Sequence, residues 1–293
     1  MSAFMRALPR RMRPSGLLVN LSLVAICIVC LFPVAWTISS SLKIGEEIYS
    51  VTPRLIPRKP SLENYIWMLT RPDMSALPLN LWNSLKVTMG AILLQCTVAT
   101  LAGFAFGRLN FRGRDLLFYL LVMLMFIPRA GGLMALYELM EYLHLRNTHI
   151  GLILLYPAAI SVALFVMRQN FLAVPRELEE AAIIDGAGTM KLLWHVDIPF
   201  VRGGIAVVAI WEFIYVWGEY LIALTMLDFP ELETVAIAVT KLRGWSAHFT
   251  SRVITPYGSE SAAYVVAMLP MVLAFVLLQK WFVRGLSEGI LKM

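Results

Sequence analysis

Three charged side chains interrupt long apolar stretches of this sequence, and each is a candidate for transport chemistry. Arg129 lies in one stretch, and Glu212 and Glu219 lie in another. The two glutamates are seven residues apart, so on a helix they share one face, with Tyr215 nearby. A charge in an apolar environment is costly unless it has a partner or faces a polar cavity. Arg129, Glu212, Tyr215 and Glu219 are therefore candidates for a polar path through the protein.

Two interpretations of these charges remain open from the sequence. In the structural one, Arg129 pairs with Glu219 between helices, or its side chain extends to the nearest polar surface. In the functional one, the charges line a translocation path. An arginine there favours anionic cargo such as uronic-acid sugars, whereas carboxylates and aromatic rings suit neutral sugars.

The sequence gives little support for redox chemistry, metal binding or catalysis. Cys27 and Cys30 match the C-x-x-C spacing, but they lie in an apolar stretch without further ligands, and we expect packed, inert thiols. The sequence has no G-x-x-x-x-G-K-[ST], H-E-x-x-H or G-x-S-x-G motif. The histidines are scattered over predicted loops: His144, His149, His195 and His248. We therefore predict a non-enzyme that binds no metal and no cofactor of its own.

The composition identifies the class of protein. Of 293 residues, 59% are hydrophobic and 15% are charged, whereas soluble domains have about 45–50% and about 25%. Apolar stretches of about 20 residues cross a bilayer as helices, because lipid offers no partner to free backbone groups. The sequence predicts an all-α membrane protein embedded in a lipid bilayer. The net charge of +6 is expected to lie in its loops and implies no nucleic acid.

The apolar stretches predict six transmembrane helices: 17–42, 87–106, 116–137, 150–167, 203–227 and 261–279. The first is too long for the apolar region of a cleaved signal peptide, so we expect it to be retained. Pro128, Gly131 and Gly132 predict a break in the third helix. Pro157 and Pro270 predict kinks in the fourth and sixth.

The distribution of basic residues predicts the orientation. The segments assigned to the inside hold fourteen lysines and arginines, and the short outer loop 138–149 holds one, Arg146. This places both termini in the cytoplasm. The resulting organisation is a basic N-terminus (1–16), a first transmembrane helix (17–42), an outer loop (43–82), a core of five transmembrane helices (83–283) that contains an inner loop (168–202), and a cytoplasmic tail (284–293).

The inner loop 168–202 predicts a short exposed helix. Pro175 suits its first position, and the glutamates that follow complement the positive end of the helix dipole. Gly186 and Gly188 can each end it in a left-handed conformation. One face carries Leu178, Ala181, Ala182 and Asp185. Such a face fits a groove on another protein, and it also fits a connector lying on the membrane surface.

The same loop contains a spaced motif. Glu180-Ala181-Ala182 is followed after three residues by Gly186, and after nine more by Val196-Asp197-Ile198-Pro199. This resembles the EAA motif of membrane subunits in binding-protein-dependent ATP-binding-cassette importers. Further stretches resemble the second membrane subunit of the maltose-type sugar importers: Ser61–Tyr65, Asn83–Leu85, Pro175–Gly188 and Lys280–Leu286.

The resemblance implies the type I importer permease fold, a six-helix half-channel with a cytoplasmic coupling helix. It also implies a bacterial inner-membrane location and these partners: a second, homologous permease, two ATPase subunits that hold ATP and Mg, and an extracytoplasmic solute-binding protein that delivers a carbohydrate. Residues expected to contact an ATPase subunit are Glu180, Ala181, Ala182, Asp185, Gly186 and Pro199 in the loop. In the tail they are Glu288, Gly289 and Lys292.

Two alternatives belong to other classes. A self-sufficient secondary transporter could use Arg129, Glu212 and Glu219 as an ion relay, although the sequence shows no clear internal repeat. A membrane scaffold that recruits a cytoplasmic protein would leave those charges without a role.

Overall fold

Every regular element that the structure describes is helical, as predicted. The computed structural model describes residues 14–70, 77–127, 129–246 and 255–290. Its helices are α1 Pro14–Ser41, α2 Gly45–Ile48, α3 Glu63–Thr70, α4 Leu77–Arg108, α5 Arg114–Met123, α6 Leu133–Tyr142, α7 His149–Leu155, α8 Ser161–Leu172, α9 Arg176–Ile184, α10 Thr189–Leu192, α11 Ile198–Gly218, α12 Leu221–Met226, α13 Val235–Ser246 and α14 Pro256–Ile290. Short 3₁₀ or π segments join several of them.

Four helical stretches are long and apolar enough to cross a membrane. They are Val19–Ser41, Leu77–Arg108, Thr189–Gly218 and Pro256–Leu277. The pair α7–α8 meets the same criteria but is bent by 57°, which gives up to five spans. The predicted third span, 116–137, is divided between α5 and α6. The all-α membrane class is confirmed, and the count of six spans stays a prediction.

The breaks coincide with proline and glycine. Helix α5 gives way to 3₁₀ turns at Leu124–Phe126 and Arg129–Gly132 before α6 begins, as predicted for the third span. The bend between α7 and α8 follows a 3₁₀ turn that contains Pro157, which cannot donate a backbone hydrogen bond. Helix α14 in contrast runs through Pro270 as one helix.

Helix α4 lies at the centre of the packing, against α7, α8 and α11. Glycines spaced four apart let it approach α8 closely. A Cβ placed on Gly103 would lie 2.5 Å from the Cβ of Met167, and one on Gly107 would lie 3.0 Å from the Cβ of Phe171. This small-x-x-x-small spacing is typical of tightly packed membrane helices.

The buried apolar residues form three clusters that join distant parts of the chain. One unites α4 and α7 with the junction of α11 and α12, through Tyr156, Val216 and Ile222. A second unites α4, α8 and α11 with both ends of the inner loop, through Val174 and Leu193. A third joins α3, α13 and α14 to the N-terminal end of α4 and the C-terminal end of α11. The outward faces of α1 and α14 are apolar and exposed, as expected in lipid.

Candidate functional site

Helix α9 begins and ends where the inner-loop sequence predicts. Pro175 precedes its first residue with φ −61° and ψ 131°, and Glu177 and Glu179 occupy its first turn. Acidic side chains there interact favourably with the free backbone amides of the helix start. Pro175 thus sits at the N-cap, one position earlier than predicted, because its extended ψ lies outside the helical region.

Gly186 ends α9 in the left-handed conformation, with φ +82°. The amide of Ala187 donates to the carbonyl of Ala182, and the amide of Gly186 donates to that of Ile183, both at 2.9 Å. This pair of bonds is the Schellman motif. The prediction for Gly188 is wrong: its φ is −76° and its ψ is 168°, because it begins α10 as an extended N-cap residue.

No residue of α9 is buried, so the whole helix is a surface feature of this chain. Leu178 is 40% exposed, and Ile184 is 85% exposed. Of the residues in the EAA motif, Ala182 is half-buried, and Glu180, Ala181, Asp185, Gly186 and Pro199 are exposed. An exposed apolar patch with acidic neighbours is compatible with both expected roles, docking on a protein and lying on a membrane surface.

Arg108 joins this loop to the core, and the sequence reasoning missed it. It is the last residue of α4, and its side chain is 7% exposed. Its Nε lies 2.6 Å from Oε1 of Glu179 on α9. Its guanidinium also donates to the carbonyl of Val174, just before α9. The available signal was an arginine directly after the Gly103-x-x-x-Gly107 spacing.

Asp197 completes this contact from the other side of the loop. It is fully buried, at the end of the π segment Leu193–Asp197, and its carboxyl group contacts that of Glu179. The exposed Pro199 follows two residues later, at the start of α11. A proline lacks the amide that an ordinary helical turn needs, so a widened turn is expected just before it.

The predicted polar stripe is partly assembled at the break between α11 and α12. The Glu219 carboxylate accepts hydrogen bonds from the Tyr156 hydroxyl at 3.0 Å and from the amides of Ile222 and Ala223 at 2.7 and 3.0 Å. It therefore caps the start of α12. Tyr215 packs edge-on against Tyr156, with ring centroids 6.2 Å apart.

The other two predicted path residues are Glu212 and Arg129. Glu212 is 4% exposed on α11, two turns before Glu219. The backbone of Arg129 forms a 3₁₀ turn, and its side chain lies outside the described residues. The Arg129–Glu219 ion pair and the cargo-lining role therefore stay predictions.

Two of the stretches that resemble the maltose-type subunit hold neighbouring loops in place. Asn64 donates to the carbonyls of Ser41 and Lys43, both at 2.9 Å, and so fixes the end of α1. Asn83 donates to the carbonyls of Glu231 and Glu233 at 2.8 and 3.1 Å. These asparagines therefore hold loops in place in this structure.

The remaining predicted residues are located as follows. Glu288 and Gly289 continue the backbone of α14, whereas Lys292 lies outside the described residues. Among the described residues there is no group of three His, Cys, Asp or Glu side chains that could hold a metal ion. Cys27 and Cys30 are free, but they are exposed on α1 and not packed, because α1 presents most of its surface outward.

Comparison with known proteins supports the sequence resemblance. Residues 99–288 match the family described as "binding-protein-dependent transport system inner membrane component". The chain is 32% identical over 263 residues to the sulfoquinovosyl glycerol transport system permease protein SmoH of Agrobacterium fabrum, covering 89% of each chain. It is 29% identical over 277 residues to the trehalose/maltose transport system permease protein MalG of Thermococcus litoralis, covering 94% and 96%.

A solved structure shares the fold. It is that of a bacterial ABC transporter involved in the import of the acidic polysaccharide alginate. The TM-score is 0.81 at 20% identity, and the match covers 94% of this chain and 99% of the other.

Proposed function

Since this chain belongs to the family of inner membrane components of binding-protein-dependent transport systems and is the permease of a sugar importer, we propose that α9 is its coupling helix. In this role α9 docks on a cytoplasmic ATPase subunit and passes the motion of that subunit to the transmembrane helices. The observation that best supports this role is the geometry of α9, a helix without buried residues that ends at Gly186 in the left-handed conformation.

The partners follow from this role. A second, homologous permease completes the channel, and two ATPase subunits hold ATP and Mg at the cytoplasmic side. A solute-binding protein delivers cargo at the opposite face. In this arrangement both termini are cytoplasmic, the protein lies in a bacterial inner membrane, and the chain carries no catalytic site. The scattered histidines and the missing nucleotide motif support that division of labour.

For the cargo we propose an oligosaccharide, with acidic sugars as the specific class to test. SmoH and MalG are named for sulfoquinovosyl glycerol and for trehalose and maltose. In this chain the break between α11 and α12 places Tyr156, Tyr215 and Glu219 together, and irregular backbone in a membrane protein is tolerated where it lines a cavity or packs on another helix. Arg129 is the residue whose charge would favour an acidic cargo.

The test is ATP hydrolysis by the co-expressed complex in lipid. Hydrolysis is measured with and without the binding protein and with neutral and acidic oligosaccharides, for the wild type and for Glu180→Ala combined with Gly186→Leu. We expect one sugar class to stimulate the wild type and not the variant, with the subunits still assembled. If acidic sugars are the class that stimulates hydrolysis, Arg129→Gln should abolish the preference for acidic over neutral sugars.

Two results would overturn the proposal. One is the absence of an ATPase subunit from the purified complex, and the other is a double variant that couples normally. Uptake by this chain alone, driven by a proton gradient, would instead support the secondary transporter. That alternative needs a free carboxylate at Glu219, whose oxygens already accept three hydrogen bonds.

A further inference from the structure

A buried charge cluster connects the inner loop 168–202 to the transmembrane core. We define it as Arg108, Glu179 and Asp197, whose side chains come from α4, from α9 and from the π segment before α11. Arg108 and Glu179 side chains are 7% and 14% exposed, and Asp197 is 0% exposed. Except for the half-buried Ala182, the other residues of α9 are exposed, so Glu179 is the charged side chain through which this helix contacts the core.

The ion pair between Arg108 and Glu179 joins α4 to α9. The Arg108 Nε lies 2.6 Å from Oε1 of Glu179, and the buried Asp197 carboxyl group neighbours both side chains. Removing one member from such a buried group leaves the others uncompensated, which is far costlier than losing a surface ion pair.

Arg108 reaches both sides of the loop. It binds the carbonyl of Val174 before α9 and the side chain of Glu179 on α9, and it lies beside Asp197 after α10. Arg108 also ends the helix whose Gly103 and Gly107 lie in close contact with α8. Arg108 therefore links α9 to the closely packed pair of α4 and α8.

We propose that Arg108 is the positioning residue for coupling: through Glu179 and Asp197 it fixes α9 to the end of α4, so that movement of the ATPase subunits drives the transmembrane helices. This inference rests on the proposed function of α9. It assigns to Arg108 no contact with an ATPase subunit or with cargo.

The test compares sugar imported with ATP hydrolysed in the reconstituted complex. The variants are Arg108→Gln, Glu179→Gln, their combination and Asp197→Asn, with Arg112→Gln as the matched control. Arg112 lies four residues beyond Arg108 and is exposed. Coupling between two protein sites is typically worth a roughly 5–150-fold effect, so we expect about a tenfold loss of import per ATP for each of the first two.

The other variants sharpen the expected pattern. The variant that combines Arg108→Gln and Glu179→Gln should import no less sugar per ATP than either single variant, because both changes remove the same interaction. Asp197→Asn should lower import per ATP less than either of these changes, because the Arg108–Glu179 ion pair remains. Arg112→Gln should match the wild type. A purely structural defect would lower import and hydrolysis together and leave their ratio unchanged.

The outcomes separate this proposal from the one on which it depends. If the wild type couples and both single variants keep the wild-type ratio, the role of Arg108 is overturned and the coupling helix stands. If the wild type shows no coupling, the proposed function itself fails. If the Arg108→Gln complex does not assemble, Arg108→Lys and Glu179→Gln are measured in its place. A wild-type ratio of sugar imported to ATP hydrolysed in both of them refutes the proposal.

Discussion

Replacing Gly186 by serine tests whether docking depends on the left-handed turn that ends α9. Nothing lies within 4 Å of a Cβ placed on Gly186, so a serine would fit sterically and would be opposed only by the backbone. The φ of +82° costs a residue with a Cβ roughly 1–2 kcal/mol. Relief of that strain requires opening the two hydrogen bonds that close the turn.

The same substitution at Gly188 provides the control. Gly188 also has no atom within 4 Å of its Cβ position, but its φ of −76° is open to every residue. A serine there occupies the N-cap of α10, a position that serine favours. The two variants therefore add the same atoms two residues apart and differ in backbone strain.

The measurement is a titration of purified ATPase subunits onto the permease pair in lipid nanodiscs, followed by ATP hydrolysis. A cost of about 1–2 kcal/mol corresponds to a factor of about 5–30 in an equilibrium. We expect Gly186→Ser to raise the half-saturating concentration by up to that factor and Gly188→Ser to leave it within about twofold. Gly186→Asn should lie between them, because asparagine adopts the left-handed conformation more readily. Equal curves for both serine variants would refute the reasoning.

Three further predictions concern the packing and the capping bonds. Glu219→Gln should lower the stability of the complex by about 1 kcal/mol in thermal unfolding, because one glutamine oxygen replaces two acceptor oxygens at the start of α12. Gly103→Ala should cost about 1–3 kcal/mol in the same assay, since its Cβ would lie 2.5 Å from that of Met167, whereas Gly131→Ala, with open space around it, should not. Asn83→Ala removes two hydrogen bonds to the segment that carries Glu231 and Glu233 and should speed limited proteolysis of that segment, and an unchanged cleavage rate would contradict the anchoring role.

The local features of the site were predictable from the sequence. The apolar stretches predict helices because a bilayer leaves backbone groups no other partner. The break near Arg129 and the bend at Pro157 follow from residues that interrupt helical hydrogen bonding. The end of α9 at Gly186 follows from the conformational freedom of glycine.

The long-range features were not predictable in the same way. The contact of Arg108 with Glu179 joins positions far apart in the chain, and nothing in the local sequence of either specifies the other. Glu219 instead makes contacts close to it in the chain. Its carboxylate accepts from the amides of Ile222 and Ala223, three and four residues later, and its predicted pairing with Arg129 stays a prediction.

Helix α4 links two distant parts of the structure. Its 32 residues form one unbroken helix, about 48 Å long. Asn83, near its N-terminal end, donates to the carbonyls of Glu231 and Glu233, and Arg108, its last residue, contacts α9. The neighbouring α7–α8 and α11–α12 pairs are broken where Tyr156 and Glu219 meet. If α9 moves with an ATPase subunit, as proposed, the unbroken α4 would carry that movement towards Asn83, and the adjoining helices would change angle at their breaks.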